Sequence, residues 1–181
     1  MHEKRYDGTV ERLRSPDRVE RLEVERVADL CLESGDFKTL LDVGVGSGLF
    51  AESFSKRGLI IAGVDINPQM LPAASQYVPG GDFRESTAEA LPYHDATFDL
   101  VFMGLVLHES DEPLKALQEA RRVSRQRVCI LEWPYRENES FGPPLAHRLS
   151  PVKVADLVKQ AGFTHLETIS LNHLVLYRLA K

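Results

Sequence analysis

Cysteine is nearly lacking: Cys31 and Cys129 are the two in a chain of 181 residues, and both sit inside apolar runs rather than at a paired spacing. That excludes a disulfide framework and a four-thiolate zinc site, and a reducing cytoplasm is the expected compartment. No apolar run reaches the ~20 residues that a membrane span needs. An excess of positive charge is lacking as well. Against 27 Asp and Glu stand 22 Lys and Arg, a formal net charge of −5, with the two signs interspersed, so nucleic acid is not an expected partner. Met1 to Gly8 is mixed in charge and has no apolar stretch, unlike a secretory signal or a transit peptide. Internal repeats and low-complexity segments are lacking too. What is present, 43% hydrophobic residues spread along the length, suffices for one core without cross-links. Residues 1–181 read as one domain.

The patterning alternates strand and helix. Residues 1–16 are polar and end at Ser15-Pro16-Asp17, a helix-start signal, so they read as a mobile arm or a flap. From Asp17 to about Ser34 the residues Val19, Leu22, Val27, Leu30 and Cys31 recur at helical spacing, which predicts one amphipathic helix. Strands follow at Lys38–Val43, Leu59–Asp65, around Asp82–Glu85, at Phe98–Met103 and at Arg127–Trp133. Helices are predicted over Leu49–Lys56, Asn67–Gln76 and Asp111–Ser124. This order implies an α/β, doubly wound, largely parallel sheet with right-handed crossovers and helices on both faces. A long connection, residues 134–149, is placed to cover a site, with Phe141, His147 and Arg148 able to contact a ligand. Ser150 caps a helix over Pro151–Ala161. Phe163–Leu171 and His173–Ala180 are joined too tightly for a crossover and are expected to be antiparallel.

Chemistry is concentrated where the first strand meets the first crossover helix, at Asp42-Val43-Gly44-Val45-Gly46-Ser47-Gly48. Glycines there let a ligand approach the backbone closely. A dinucleotide fingerprint needs its third glycine three residues after the second, where Leu49 stands, and has no place for an acidic residue such as Asp42. S-adenosyl-L-methionine has no pyrophosphate and carries an ammonium that Asp42 can attract. Asp65, ending the second strand, can accept from both hydroxyls of a ribose, and Ile66 offers an apolar face to adenine. The alternatives are a tight turn without a ligand at Gly44–Gly48 and a helix cap before Pro68 at Asp65.

These residues resemble the class I S-adenosylmethionine-dependent methyltransferases, and within them the branch similar to ubiquinone and menaquinone methyltransferases. Asp42 to Gly48 is similar to the first motif of that family and Val64-Asp65 to the second. Ala88 to Tyr93 with Thr97 to Val101 is similar to the third, and Val106-Leu107-His108-Glu109 to the segment after the fourth strand. The resemblance implies a seven-stranded, Rossmann-like sheet with the last strand antiparallel. It places Gly44 and Gly46 beneath the methionine part, Asp65 at the ribose, and Thr87 and Ala88 beside the adenine. Relatives usually have Asp where Thr87 stands, and a neutral hydroxyl accepts a weaker hydrogen bond than a carboxylate. Arg125-Gln126-Arg127 replaces a common Pro-Gly-Gly turn and reads as a surface change.

Met103 and Gly104, at the end of the fourth strand, are expected to line the path of a transferred methyl; for Gly104 a loop conformation is the equal alternative. His108 beside Glu109 could remove a proton, yet a histidine after Val106-Leu107 reads more readily as packed under the next helix and hydrogen-bonded to backbone. Glu132 can point into the site or away from it. No His, Cys or acidic spacing suits a metal. The expected activity is methyl transfer from S-adenosylmethionine to a small-molecule acceptor. A non-catalytic S-adenosylmethionine-binding sensor or partner subunit is the alternative.

Overall fold

The computed structural model describes residues 9–137 and 141–181; residues 1–8 of the expected arm lie outside them. Chain order is α1 (Val10–Leu13), α2 (Pro16–Arg21), α3 (Val24–Leu32), β1 (Thr39–Val43), α4 (Leu49–Lys56), β2 (Ile60–Asp65), α5 (Leu71–Tyr77) and β3 (Asp82–Glu85). There follow β4 (Phe98–Gly104), α6 (Pro113–Val123), β5 (Ser124–Glu132), α7 (Pro151–Gln160), β6 (His165–Ser170) and β7 (Val175–Ala180). The strands form one sheet in the order β3-β2-β1-β4-β5-β7-β6. β1 to β5 pair in parallel, and β7 alone is reversed, running antiparallel to both of its neighbours, β5 and β6, as the short β6–β7 connection requires. Among the described residues no helix is long and apolar enough to cross a membrane.

The central strands are buried on both faces, and alternate residues feed two cores. Leu40, Leu100, Phe102, Cys129 and Leu131 face α3, α4 and α5, where they meet Val27, Phe54 and Ala74. Leu41, Val43, Val101, Met103 and Ile130 face the other side and meet Leu117 of α6 and Leu157 of α7. Ser150 does cap α7, its hydroxyl accepting from the Lys153 amide at 3.2 Å.

Two expectations are corrected. The helix expected from Asp17 to Ser34 is broken, because Glu23 adopts φ 47 between α2 and α3. Its carboxylate accepts from Arg26 at 2.7 Å and from the Asn172 amide at 2.8 Å, so the break is held by one local contact and one remote in sequence. The apolar spacing runs through it, with Leu22 and Val24 both buried. The fifth strand, expected from Arg127, begins earlier, at Ser124, so that Arg125-Gln126-Arg127, expected as a surface change, lies within β5 with Arg125 and Gln126 exposed. Arg127 donates to the carbonyls of Cys31 and Glu33 at 2.7 and 2.8 Å, which fastens the end of α3 to the sheet.

Where β1 and β4 begin, Asp99 accepts from the amides of Lys38 and Thr39, from the Thr39 hydroxyl and from Arg125, all between 2.9 and 3.1 Å. Burial alone would raise its pKa, but these donors outweigh it and hold the carboxyl down at about 2. A depressed carboxyl stabilises the fold above its ordinary pKa and ceases to do so as pH falls toward the folded value. Asp99→Ala is therefore expected to cost about 1–3 kcal/mol at neutral pH. Thermal melts followed by circular dichroism should show the gap between variant and parent closing between about pH 4 and pH 2; a gap that persists undiminished to pH 2 would refute the assignment.

Candidate active site

At the carboxyl ends of β1 to β5 lies a cavity of about 890 Å³. Its floor is Gly44 and Gly46 after β1, Asp65, Ile66 and Asn67 after β2, Ser86 to Glu89 after β3, Gly104 to Val106 after β4, and Trp133 after β5. Leu13, Arg18 and Arg21 close one side and Phe141, Pro143 and His147 another. A smaller recess of about 70 Å³ under the glycine turn is lined by Asp42, Val45 and Ser47, and shares Gly44, Gly46 and Gly104 with the main cavity.

The turn has backbone reasons to be glycine. Gly44 has φ +72, and a Cβ there would lie 2.1 Å from Val106 Cγ2. Gly46 has φ +50, but a Cβ there would make ordinary contacts, with Leu13 Cδ1 at 3.5 Å and Gly44 O at 4.0 Å, so the cavity side is open above it. Gly48 lines neither space; it has φ +75, and a Cβ would lie 2.9 Å from the Ala74 Cα, so its smallness lets α5 approach α4. Gly104 is strand, not loop. A Cβ on it would strike the Phe102 ring at 2.7 Å. The next residue, Leu105, takes φ 62 without being glycine, a strained conformation at the cavity wall.

Asp65 is both a cap and a brace. One oxygen accepts from the Asn67 amide at 2.8 Å and the other from the Gly46 amide at 2.7 Å, which ties the glycine turn to the end of β2 and leaves lone pairs on both oxygens. Burial raises its pKa despite these donors. Asp42 is 2% exposed. Burial and then the charge of Asp65 push its carboxyl well above the usual range, against the Ala51 amide. Two carboxyls so placed, beside a recess, favour a cationic ligand group.

The remaining expected residues divide. Ile66, Thr87 and Ala88 line the cavity, and the Thr87 hydroxyl is turned toward Glu89. Met103 does not line it. The side-chain parity of β4 sends Met103 to the opposite core, fully buried beside Val43 and Leu107, and only Gly104 faces the cavity. His108 does line it, 5% exposed, but its partner is not backbone. Its Nδ1 lies 2.7 Å from Glu132 Oε2, and its amide donates to Glu132 Oε1 at 3.0 Å. Glu132 thus points at His108, is 2% exposed and does not itself line the cavity. Burial pulls the pKa of His108 down, but the hydrogen bond and charge of Glu132 and the charge of Glu109 outweigh it, and the net direction is up.

Phe141 and His147 line the cavity, whereas Arg148 does not. Arg148 donates to the carbonyls of Pro134, Phe141 and Pro143 and so clasps the loop of residues 134–149, of which 138–140 lie outside the described residues. Of the segment expected as an arm or flap, the described part forms α1 and the start of α2, which make a wall of the cavity. Arg14 fixes that wall, donating to Ser47 O at 3.0 and 3.2 Å and to Glu52 at 2.7 Å while stacking 3.2 Å over the Tyr77 ring. Arg21 stacks 3.4 Å over the Phe141 ring, which links the two covering segments.

Residues 41–130 match the family of the methyltransferase domain. A demethylmenaquinone methyltransferase of Renibacterium salmoninarum is 33% identical over 106 residues, 58% of this chain and 44% of that protein. An uncharacterized methyltransferase of a Mycobacterium species is 32% identical over 125 residues, 66% of this chain and 48% of that one. The chain spans about half the length of these curated relatives. The crystal structure of a SAM-dependent methyltransferase from Aquifex aeolicus has a TM-score of 0.82 to this chain at 26% identity, covering 94% of this chain and 95% of its own. With the matched sequence running from the glycine turn through β5 and the matched fold over nearly the whole length, the chain belongs to the class I S-adenosylmethionine-dependent methyltransferases.

Proposed function

We propose that this chain transfers the methyl group of S-adenosylmethionine to a small molecule held at the Trp133–Phe141 side of the cavity. The observation that carries the reading is the joining of the glycine turn to Asp65 across adjacent strand ends, above a recess holding Asp42. That is a cradle for one nucleoside and one amino-acid end. Asp65 has lone pairs for two ribose hydroxyls, Ile66, Thr87 and Ala88 offer a slot for the base, and Gly44, Gly46 and Asp42 suit the methionine end with its ammonium.

When bound, S-adenosylmethionine supplies an electrophilic methyl on a sulfonium. The chain's own task is then alignment and exclusion of water, effects that can together lower a barrier by roughly 7–11 kcal/mol. Gly104 leaves space between the two ligands, and α1, α2 and the clasped loop shut the cavity from above. Aromatic and proline side chains, Trp133, Phe141, Pro143 and Pro144, make the far wall, which fits a flat acceptor. The demethylmenaquinone methyltransferase among the relatives supports a flat, ring-bearing acceptor class.

Calorimetry should find S-adenosylmethionine and its demethylated product binding in the micromolar range and NAD far more weakly. Asp65→Ala removes an acceptor from the ribose and a brace from the glycine turn. Its affinity should fall by roughly 2–4 kcal/mol, a 30- to 1,000-fold loss, with a melting temperature a few degrees lower. Equal affinity in a folded variant would leave Asp65 a cap alone.

Gly46→Val tests the turn separately. Valine is strained at φ +50 and its branches project over the methionine end, so saturable binding should vanish while the circular dichroism spectrum is retained. Formation of the demethylated product, followed by mass spectrometry across a panel of phenols, quinols and small amines, tests the transfer itself. Tight cofactor binding with no product above the uncatalysed level would overturn the catalytic reading.

A further inference from the structure

We propose that His108, positioned by Glu132, is the general base of this site, and that the acceptor is a weak acid whose O–H or N–H must be deprotonated as it takes the methyl. The inference rests on the methyl-transfer reading and adds the acceptor's chemistry to it.

The two residues come from neighbouring strand ends. His108 follows β4 and Glu132 ends β5, and because β4 and β5 are parallel neighbours their carboxyl ends lie side by side at the cavity. Glu132 is held on both oxygens. Oε1 accepts from the His108 amide at 3.0 Å, and Oε2 takes the ring at 2.7 Å and the Trp133 amide at 3.3 Å. A carboxylate so fixed requires the Nδ1–H tautomer, since only a donor can sit 2.7 Å from it. The lone pair of the neutral ring is then on Nε2. That nitrogen lies 3.8 Å from Glu109 Oε1, beyond hydrogen-bond reach, and His108 is among the residues that line the cavity beside Gly104 and Trp133.

The charges around the ring agree with a base that must accept a proton and later release it. Glu132 and Glu109 stabilise the imidazolium, and Arg148 and burial oppose it. Tyr177, on the neighbouring β7, feels Glu132 as well, and burial together with that charge keeps its phenol neutral. Placing a carboxylate at 2% exposure beside a histidine at 5% brings a desolvation cost that an apolar pair would avoid, and proton transfer is a role that offsets it.

In the step, the acceptor's proton moves to His108 Nε2 and the freed lone pair forms the bond to the methyl carbon. The carbon–sulfur bond breaks with its pair returning to sulfur, which cancels the sulfonium charge. The imidazolium, stabilised by Glu132, gives its proton to water after product leaves. Acceptors already ionised at neutral pH would gain nothing from the pair, so phenols, enols and amide-like N–H groups form the expected class.

Two measurements test this in the whole chain. Nitrogen-15 spectra of the histidine rings, recorded across pH with the demethylated cofactor bound, should show His108 as the Nδ1–H tautomer, titrating above free imidazole. In Glu132→Gln the titration should move to lower pH. For any phenol or amine of the panel that is methylated, His108→Gln should lose at least a hundredfold in kcat together with the acidic limb of the pH profile, its cofactor affinity unchanged within threefold. Glu132→Gln should lose less and shift that limb. An Nε2–H tautomer overturns the proposal whether or not an acceptor is found, and so does a folded His108→Gln that retains its rate. Failure to bind S-adenosylmethionine at all would instead bring down the methyl-transfer reading beneath it.

Discussion

The reversal of strand order at β1 governs the rest of the molecule. From β1 the chain winds outward through β2 to β3, then returns to lay β4 against the other side of β1 and winds outward again to β5. Connections after β1 and after β4 consequently leave toward opposite faces, and a crevice opens between them at the carboxyl edge. Every residue in the cavity floor is the first or second residue past the end of one of these parallel strands, or close to it. The two cores on either side hold those ends in register, with Phe102 and Leu100 packed on one face and Met103 and Val101 on the other. The site is placed by packing that has nothing to do with its chemistry.

Electrostatics at that edge works against the empty fold. Asp42 and Asp65 are both buried and both shifted upward, so in the absence of a cation each ionised carboxylate is a net cost at neutral pH. The Gly46 and Asn67 amides lessen that cost for Asp65. For Asp42 it is the Ala51 amide that opposes it. An ammonium brought next to the recess returns part of what burial removed, which turns a local weakness of the fold into affinity for one kind of ligand.

How much of this could be read from the chain depended on sequence distance. The glycine turn, Asp65 and the strand alternation are local patterns of fewer than about ten residues, and they were legible, including the antiparallel end forced by the tight β6–β7 connection. Parity along β4 decides between two neighbours: Met103 and Gly104 are adjacent and therefore face opposite sides, so they cannot both line one cavity. The break at Glu23 carries no Gly or Pro and depends on Asn172, 149 residues away. Glu132 could not be assigned an orientation until β4 and β5 were neighbours, because its partner His108 is 24 residues back. Arg148 looked like a ligand contact because it is a charged residue in a loop, yet three carbonyls of its own loop take up its guanidinium.

The cavity thus combines two kinds of construction. Its floor is backbone at strand ends, fixed by a sheet whose central strands are buried toward their carboxyl ends, and it holds the glycine turn, Asp65 and Gly104 with little freedom. Its roof is made of α1, α2 and the 134–149 loop, joined to the body through arginine side chains: Arg14 on Ser47, Glu52 and Tyr77, Arg148 within its loop, Arg21 on Phe141. Contacts of that kind are individually modest and partly exposed, so the roof is the part of the site that can yield when a ligand enters. A rigid floor suits a cofactor that is the same in every turnover. A roof held by a few stacked guanidinium groups suits entry and exit of two molecules, and it is there, rather than in the sheet, that variation in sequence would change the acceptor without disturbing the cofactor.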